Sequence, residues 1–224
     1  MIRATAAGRI PLMLLVGLGV VVACGGAGTE PRTLPPLVPF KLGATFSYHS
    51  TDTIIGEPIP GDRLAADSDF TVHVVVDTAD GSGVRWAKFD AAALALGPPG
   101  SLDAYYTNAS DGLRRSIANP NRSGPTPSIL MFLYPAQRGQ FTPFGPLVSA
   151  TDTVITVPAG TFHCLRYDLV DQPTPGPVTY WSVFFSPGTG VIQRIINVSY
   201  FSGGQLQVLG RHDRIYRLTA VSGL

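Results

Sequence analysis

Residues Thr153–Val170 read TVITVPAGTFHCLRYDLV. Pro158 has no N–H to give to a ladder, so it belongs at the edge or the end of a strand. Gly160 supplies a turn or bulge conformation that a side chain would resist. From Thr161 the chain runs extended again, and successive side chains in a strand point to opposite faces. His163 then shares a face with Leu165, Tyr167 and Leu169, while Cys164 shares the other with Phe162, Arg166 and Asp168. Unless a bulge intervenes, this adjacent histidine and cysteine can neither hold one metal nor act as nucleophile and base. Cys164 is expected to be an inert thiol. A reactive thiolate favoured by Arg166 is opposed by Asp168 on the same face.

The same period of two runs outward from this stretch. Ala44, Phe46 and Tyr48 alternate with Thr45, Ser47 and His49, and Phe70, Val72, Val74 and Val76 share a face. TADGSG turns the chain into Val84–Phe89, and YYTNASDGLRRSI reads as a hairpin with Asn108–Gly112 at its tip. Thr179, Trp181, Val183 and Phe185 share a face, SPGTG turns into Val191–Phe201, and SGGQ turns into a last strand over Leu206–Val221. Asn119–Ser128 is a long polar loop. The one helix candidate is FDAAALALG, which runs straight into Pro98-Pro99. This rhythm predicts an all-β fold with little helix, a single domain of antiparallel sheet over residues 40–224. Ser50–Gly61 (STDTIIGEPIPG) and Ala150–Gly160 (ATDTVITVPAG) echo each other, as a duplicated half-sheet or a coincidence of strand and turn residues would.

The N-terminus carries a different signal. Arg3 and Arg9 precede an apolar run, Ile10–Val22, followed by ACGG. That is the layout of a secretory signal, too short to span a bilayer. Val21-Val22-Ala23-Cys24 resembles the lipobox of bacterial lipoproteins, which implies cleavage after residue 23 and acylation of Cys24. Each buried CH₂ of an acyl chain adds about 0.8 kcal/mol to anchoring. Gly25 in place of an aspartate leans towards the outer membrane, facing the periplasm or cell surface. Residues 24–39, rich in Gly and Pro, read as a tether. The formal charge is +1, and losing Arg3 and Arg9 leaves −1, so no basic field attracts nucleic acid. With Cys24 acylated, Cys164 has no partner for an intramolecular disulfide.

VPFKLGATFSY (Val38–Tyr48), VPAGTFHCLRY (Val157–Tyr167) and SPGTGVIQR (Ser186–Arg194) occur in order. Together they resemble a group of uncharacterised bacterial envelope lipoproteins, TapB-like, with Phe46 where tryptophan is commoner. The resemblance implies a strongly curved antiparallel sheet, a half-barrel or open barrel related in shape to the LolA/LolB lipoprotein carriers. It implies no catalytic residue.

The chemistry in the chain is sparse. His49, His73 and His212 lack metal-ligand spacing, and no G-x-S-x-G, H-E-x-x-H or phosphate-cradling loop occurs. No cofactor or metal is expected. RHDRIYR places Arg211, Asp213 and Arg217 on one face of the last strand, as a solvated charge ladder or an anion site. Phe46, Tyr48, Tyr167, Trp181, Phe185 and Tyr200 are expected on the concave face, as core or as a groove for an apolar ligand. The leading expectation is a lipid-anchored, non-enzymatic envelope protein, structural or binding, its partners the membrane and a hydrophobic small molecule or envelope protein. A carrier or sensor of a lipid or other hydrophobic ligand is the second reading. An envelope hydrolase is the third, and it requires titratable residues converging in one pocket.

Overall fold

The computed structural model describes residues 34–56, 67–90, 104–141, 146–171, 177–201 and 208–224. The signal segment, Cys24, most of the tether and nearly all of the helix candidate lie outside the described residues. Eleven strands follow one another: β1 (Thr45–Gly56), β2 (Ser68–Ala79), β3 (Arg85–Phe89), β4 (Tyr105–Ala109), β5 (Gly112–Ser116), β6 (Ile129–Leu133), β7 (Leu147–Val157), β8 (Gly160–Asp171), β9 (Val178–Ser186), β10 (Gly190–Phe201) and β11 (Val208–Ser222). No described residue is helical. The strands form one antiparallel sheet in the order β6-β5-β4-β3-β2-β1-β11-β10-β9-β8-β7. Each strand pairs with its sequence neighbour except β6 and β7, which form the two edges, and the first and last strands, β1 and β11, pair with each other.

Two features bend this sheet into a nearly closed barrel. Bulges interrupt the register in several ladders, including Ser47/Tyr48, Val74/Val76, Leu113/Arg114 and Val191/Gln193, and each bulge adds local twist. The β6 end then folds back on β8 and β9. The Phe132 ring sits 5.1 Å from Tyr167, 4.8 Å from Phe185 and 6.1 Å from Trp181, all edge-on. The Tyr167 hydroxyl donates to the Leu133 carbonyl at 2.5 Å. Among the described residues no ladder joins β6 to β7, so side chains rather than backbone close the seam. The expected open curve is therefore curled further than a half-barrel. The strand responsible, β6, is missing from the sequence reading, because ILMFL is uniformly apolar and shows no period of two.

The tip of the β7–β8 hairpin falls where Pro158 and Gly160 require it, with Gly160 at φ +136°. The predicted β4–β5 hairpin is present and ends at Gly112, φ +137°. Gly112 does more than turn. A Cβ there would lie 2.0 Å from the Phe132 carbonyl oxygen, so only glycine lets β6 run this close to β5. The packed unit begins at Pro35. Leu37 and Val38, assigned above to the tether, are core residues. Asn108 clamps Val38 by donating its Nδ2 to the carbonyl at 2.7 Å and accepting from the amide at 3.3 Å.

The polar loop over residues 119–128 is fastened by one carboxylate. Asp80 accepts from the Ser82 hydroxyl at 2.6 Å, the Trp86 indole at 3.1 Å and the Thr126 amide at 2.9 Å. These bonds, that of Ser82 foremost, hold its carboxyl far below the usual carboxylate range.

Candidate functional site: the inner face of the barrel

Five of the six aromatics expected on the concave face, Phe46, Tyr48, Tyr167, Trp181 and Phe185, are buried in one core cluster. Tyr200 is half-buried and lies opposite Gly210. Phe132 fills the space in front of Tyr167, Trp181 and Phe185, and Phe89 packs on Phe46 at 6.2 Å. At those five positions the face is filled core and not an open groove. The buried Tyr48 hydroxyl donates to the Val191 carbonyl at 2.9 Å. Burial raises the Tyr48 and Tyr167 phenols well above their ordinary value.

The polar chemistry lies further along the same face, on β1, β10 and β11. In β11, from Arg211 to Arg217, the odd-numbered residues point outward. Arg211 donates to Asp213 at 2.5 Å, Asn197 donates to Asp213 at 2.7 Å, and Arg217 donates to the Thr51 hydroxyl at 3.1 Å. The even-numbered residues His212, Arg214 and Tyr216 point inward. Arg214 grips Asp52 of β1 with two nitrogens, Nε to Oδ1 at 2.6 Å and Nη2 to Oδ2 at 2.8 Å. The Asp52 side chain is 5% exposed, and its hydrogen bonds raise the Arg214 guanidinium above its ordinary pKa. His212 Nε2 lies 3.8 Å from Asp52 Oδ2, buried and without a hydrogen bond.

Two more guanidinium groups occupy the interior. Arg194 of β10 is 5% exposed and stands opposite both Tyr216 and Val183. Its guanidinium lies 5.7 Å above the Trp181 ring. Burial lowers its pKa, and neighbouring Tyr216 and Tyr106 partly offset that. Arg115 of β5 stands directly opposite Tyr106 of β4 and is 8% exposed. Its Nε is fully buried and has no hydrogen-bond partner.

This arrangement suits holding charge rather than moving protons. Ser50, Asp52 and His212 share the inner face, which are the residue types of a nucleophilic relay. Ser50, however, stands opposite Tyr216 and His212 opposite Ile54. Four positions of strand separate them, about 13 Å, far beyond hydrogen-bond reach. Asp52 is engaged by Arg214 instead of orienting the imidazole. Among the described residues no three His, Cys, Asp or Glu side chains cluster to hold a metal.

No family model matches the chain, and no curated protein does. Two solved structures align with most of it. One is an inferred lipoprotein from Parabacteroides distasonis, with TM-score 0.40 and 10% identity over 85% of this chain and 100% of that one. The other is an inferred exported protein with a YmcC-like fold from Bacteroides fragilis, with TM-score 0.39 and 11% identity over 84% of this chain and 100% of that one. At this distance neither a ligand nor a role carries over.

The remaining candidates from the sequence lie elsewhere. His163 is on the exposed β7–β8 hairpin, its Nδ1 2.7 Å from Asp152 Oδ1. His49 pairs with Asp69 at 2.8 Å and His73 with Asp90 at 2.6 Å, both partly exposed. Cys164 is buried and apart from His163, with Sγ 3.7 Å from the Phe162 carbonyl. Burial pushes its thiol up to about 12. Maleimide should therefore label Cys164 slowly in folded Cys24→Ser protein and at the rate of a free thiol in denaturant. Rapid labelling of the folded protein would contradict this placement.

Proposed function

We propose that the chain is a lipid-anchored protein of the bacterial envelope, held at the outer membrane and facing the periplasm or cell surface, whose barrel is a non-catalytic structural or binding module. The anchoring rests on Val21–Cys24, which resembles a lipobox and is followed by a Gly/Pro-rich tether. The grouping with TapB-like lipoproteins and the LolA/LolB shape belongs to the same reading.

The observation that carries the non-catalytic part is the geometry of the inner face. On that face Ser50 and His212 are out of relay distance of each other, and Asp52 is locked by Arg214. The aromatic part of that face is filled by Phe132, which favours a binding chemistry based on charge over a purely apolar groove.

Membrane fractionation of the native host tests the anchor. Wild-type protein should sediment with membranes. Cys24→Ala, or inhibition of the lipoprotein signal peptidase, should shift most of it to the soluble or unprocessed fraction. A Cys24→Ala protein that is processed and stays with the membrane overturns this reading.

A further inference from the structure

We propose that Arg115, buried on the inner face opposite Tyr106, anchors a binding site for a carboxylate or phosphate oxyanion. The inference does not depend on the lipid anchor. It concerns what the barrel itself recognises.

Five other arginines among the described residues have carboxylate partners. Arg85 pairs with Asp77, Arg114 with Asp111, Arg166 with Asp168, Arg211 with Asp213 and Arg214 with Asp52. Four of those five pairs join residues of one strand, one hairpin or one turn. Each lies at a partly exposed position or is satisfied through two nitrogens. Arg122, Arg138 and Arg217 have no such carboxylate but are exposed or half-buried, whereas Arg115 has none and is buried. It is the more buried of two successive arginines, and no described carboxylate pairs with it. Its Nε–H is sealed from solvent with nothing to donate to.

Sealing a guanidinium N–H away from every acceptor is costly for a fold. An aliphatic residue opposite Tyr106 would be cheaper, as Leu113 shows one step along the same face. Retaining arginine makes physical sense where an anion arrives to answer it. The planar fork of guanidinium donors matches the two oxygens of a carboxylate or phosphate. Arg194, the other buried guanidinium of the inner face, is already engaged within the fold and stacks over Trp181. The chemistry at Arg115 is the same for the head of an amphiphile and for a free anion.

Thermal-shift titration of mature Cys24→Ser protein separates the sources. The probes are dodecanoate, dodecyl phosphate, inorganic phosphate and uncharged dodecanol, each below its micellar concentration. At least one oxyanion probe should raise the midpoint and dodecanol should not. A response to the alkyl anions alone identifies an amphiphile head, and a response to inorganic phosphate identifies a free anion. Arg115→Met should fold and bind the responding probe roughly tenfold to a hundredfold more weakly. Arg115→Lys, which keeps the charge and loses the fork, should fall between the two and guards against a misfolded methionine variant. The proposal is overturned if no oxyanion probe shifts the wild type. It is equally overturned if dodecanol shifts it as much, or if Arg115→Met responds as the wild type does.

Discussion

Replacing Phe132 by alanine should destabilise the barrel by about 3–5 kcal/mol, as expected when a fully buried aromatic is truncated and its cavity cannot collapse. For a domain of this size that lowers the thermal midpoint by roughly 10 °C. Phe132 is 1% exposed and stacks edge-on against Tyr167, Trp181 and Phe185, which lie on two strands of the opposite arm. No backbone ladder among the described residues backs up that contact. The loss should therefore exceed that of the same truncation at Phe46, a 2%-exposed ring on β1, a strand held by ladders on both sides. Guanidinium denaturation of the two variants, followed by tryptophan fluorescence, measures the difference. Equal losses at the two sites would show that the seam is not closed by Phe132.

Gly112→Ala should be nearly as severe, at about 3 kcal/mol or more, and for a different reason. The backbone at Gly112 lies at φ +137°, where an L side chain is strained, and the new Cβ would collide with the Phe132 carbonyl oxygen. That oxygen belongs to the backbone and cannot rotate away. β5 and β6 must separate, and the Phe132 ring leaves its socket with them. The signature is a coupling. Gly112→Ala and Phe132→Ala together should cost clearly less than the sum of the two, since the first already displaces the second. Strict additivity of their denaturation free energies would contradict the shared mechanism.

The sheet was legible in the sequence wherever apolar residues alternated. The period of two across Thr161–Val170 separates His163 from Cys164, and the structure separates them likewise. Where alternation fails, so does the reading. ILMFL looks equally like a strand or a buried loop, and its role in closing the barrel depends on Phe132 reaching rings of β8 and β9 distant in sequence. The polar zone was half legible. RHDRIYR points Arg211, Asp213 and Arg217 one way, so His212, Arg214 and Tyr216 must point the other. Nothing local says which side is the interior. That is decided by Asp52, the partner of Arg214 from 162 residues away. Arg115 carried a usable signal, since it shares its face with Leu113 in a predicted hairpin. A doubled arginine, however, reads as solvated surface until its burial is seen.

These observations divide the inner face in two. An aromatic half holds the barrel shut, and a guanidinium half holds Arg214, locked to Asp52, and Arg115, whose Nε the fold leaves without an acceptor. The most direct test is the unliganded stability of purified Arg115→Met protein by chemical denaturation. The account predicts stability equal to or above that of the wild type, because a buried, unanswered charge has been replaced by an apolar side chain of similar length. A loss comparable to that of Phe132→Ala would contradict it and make Arg115 a structural residue of the core.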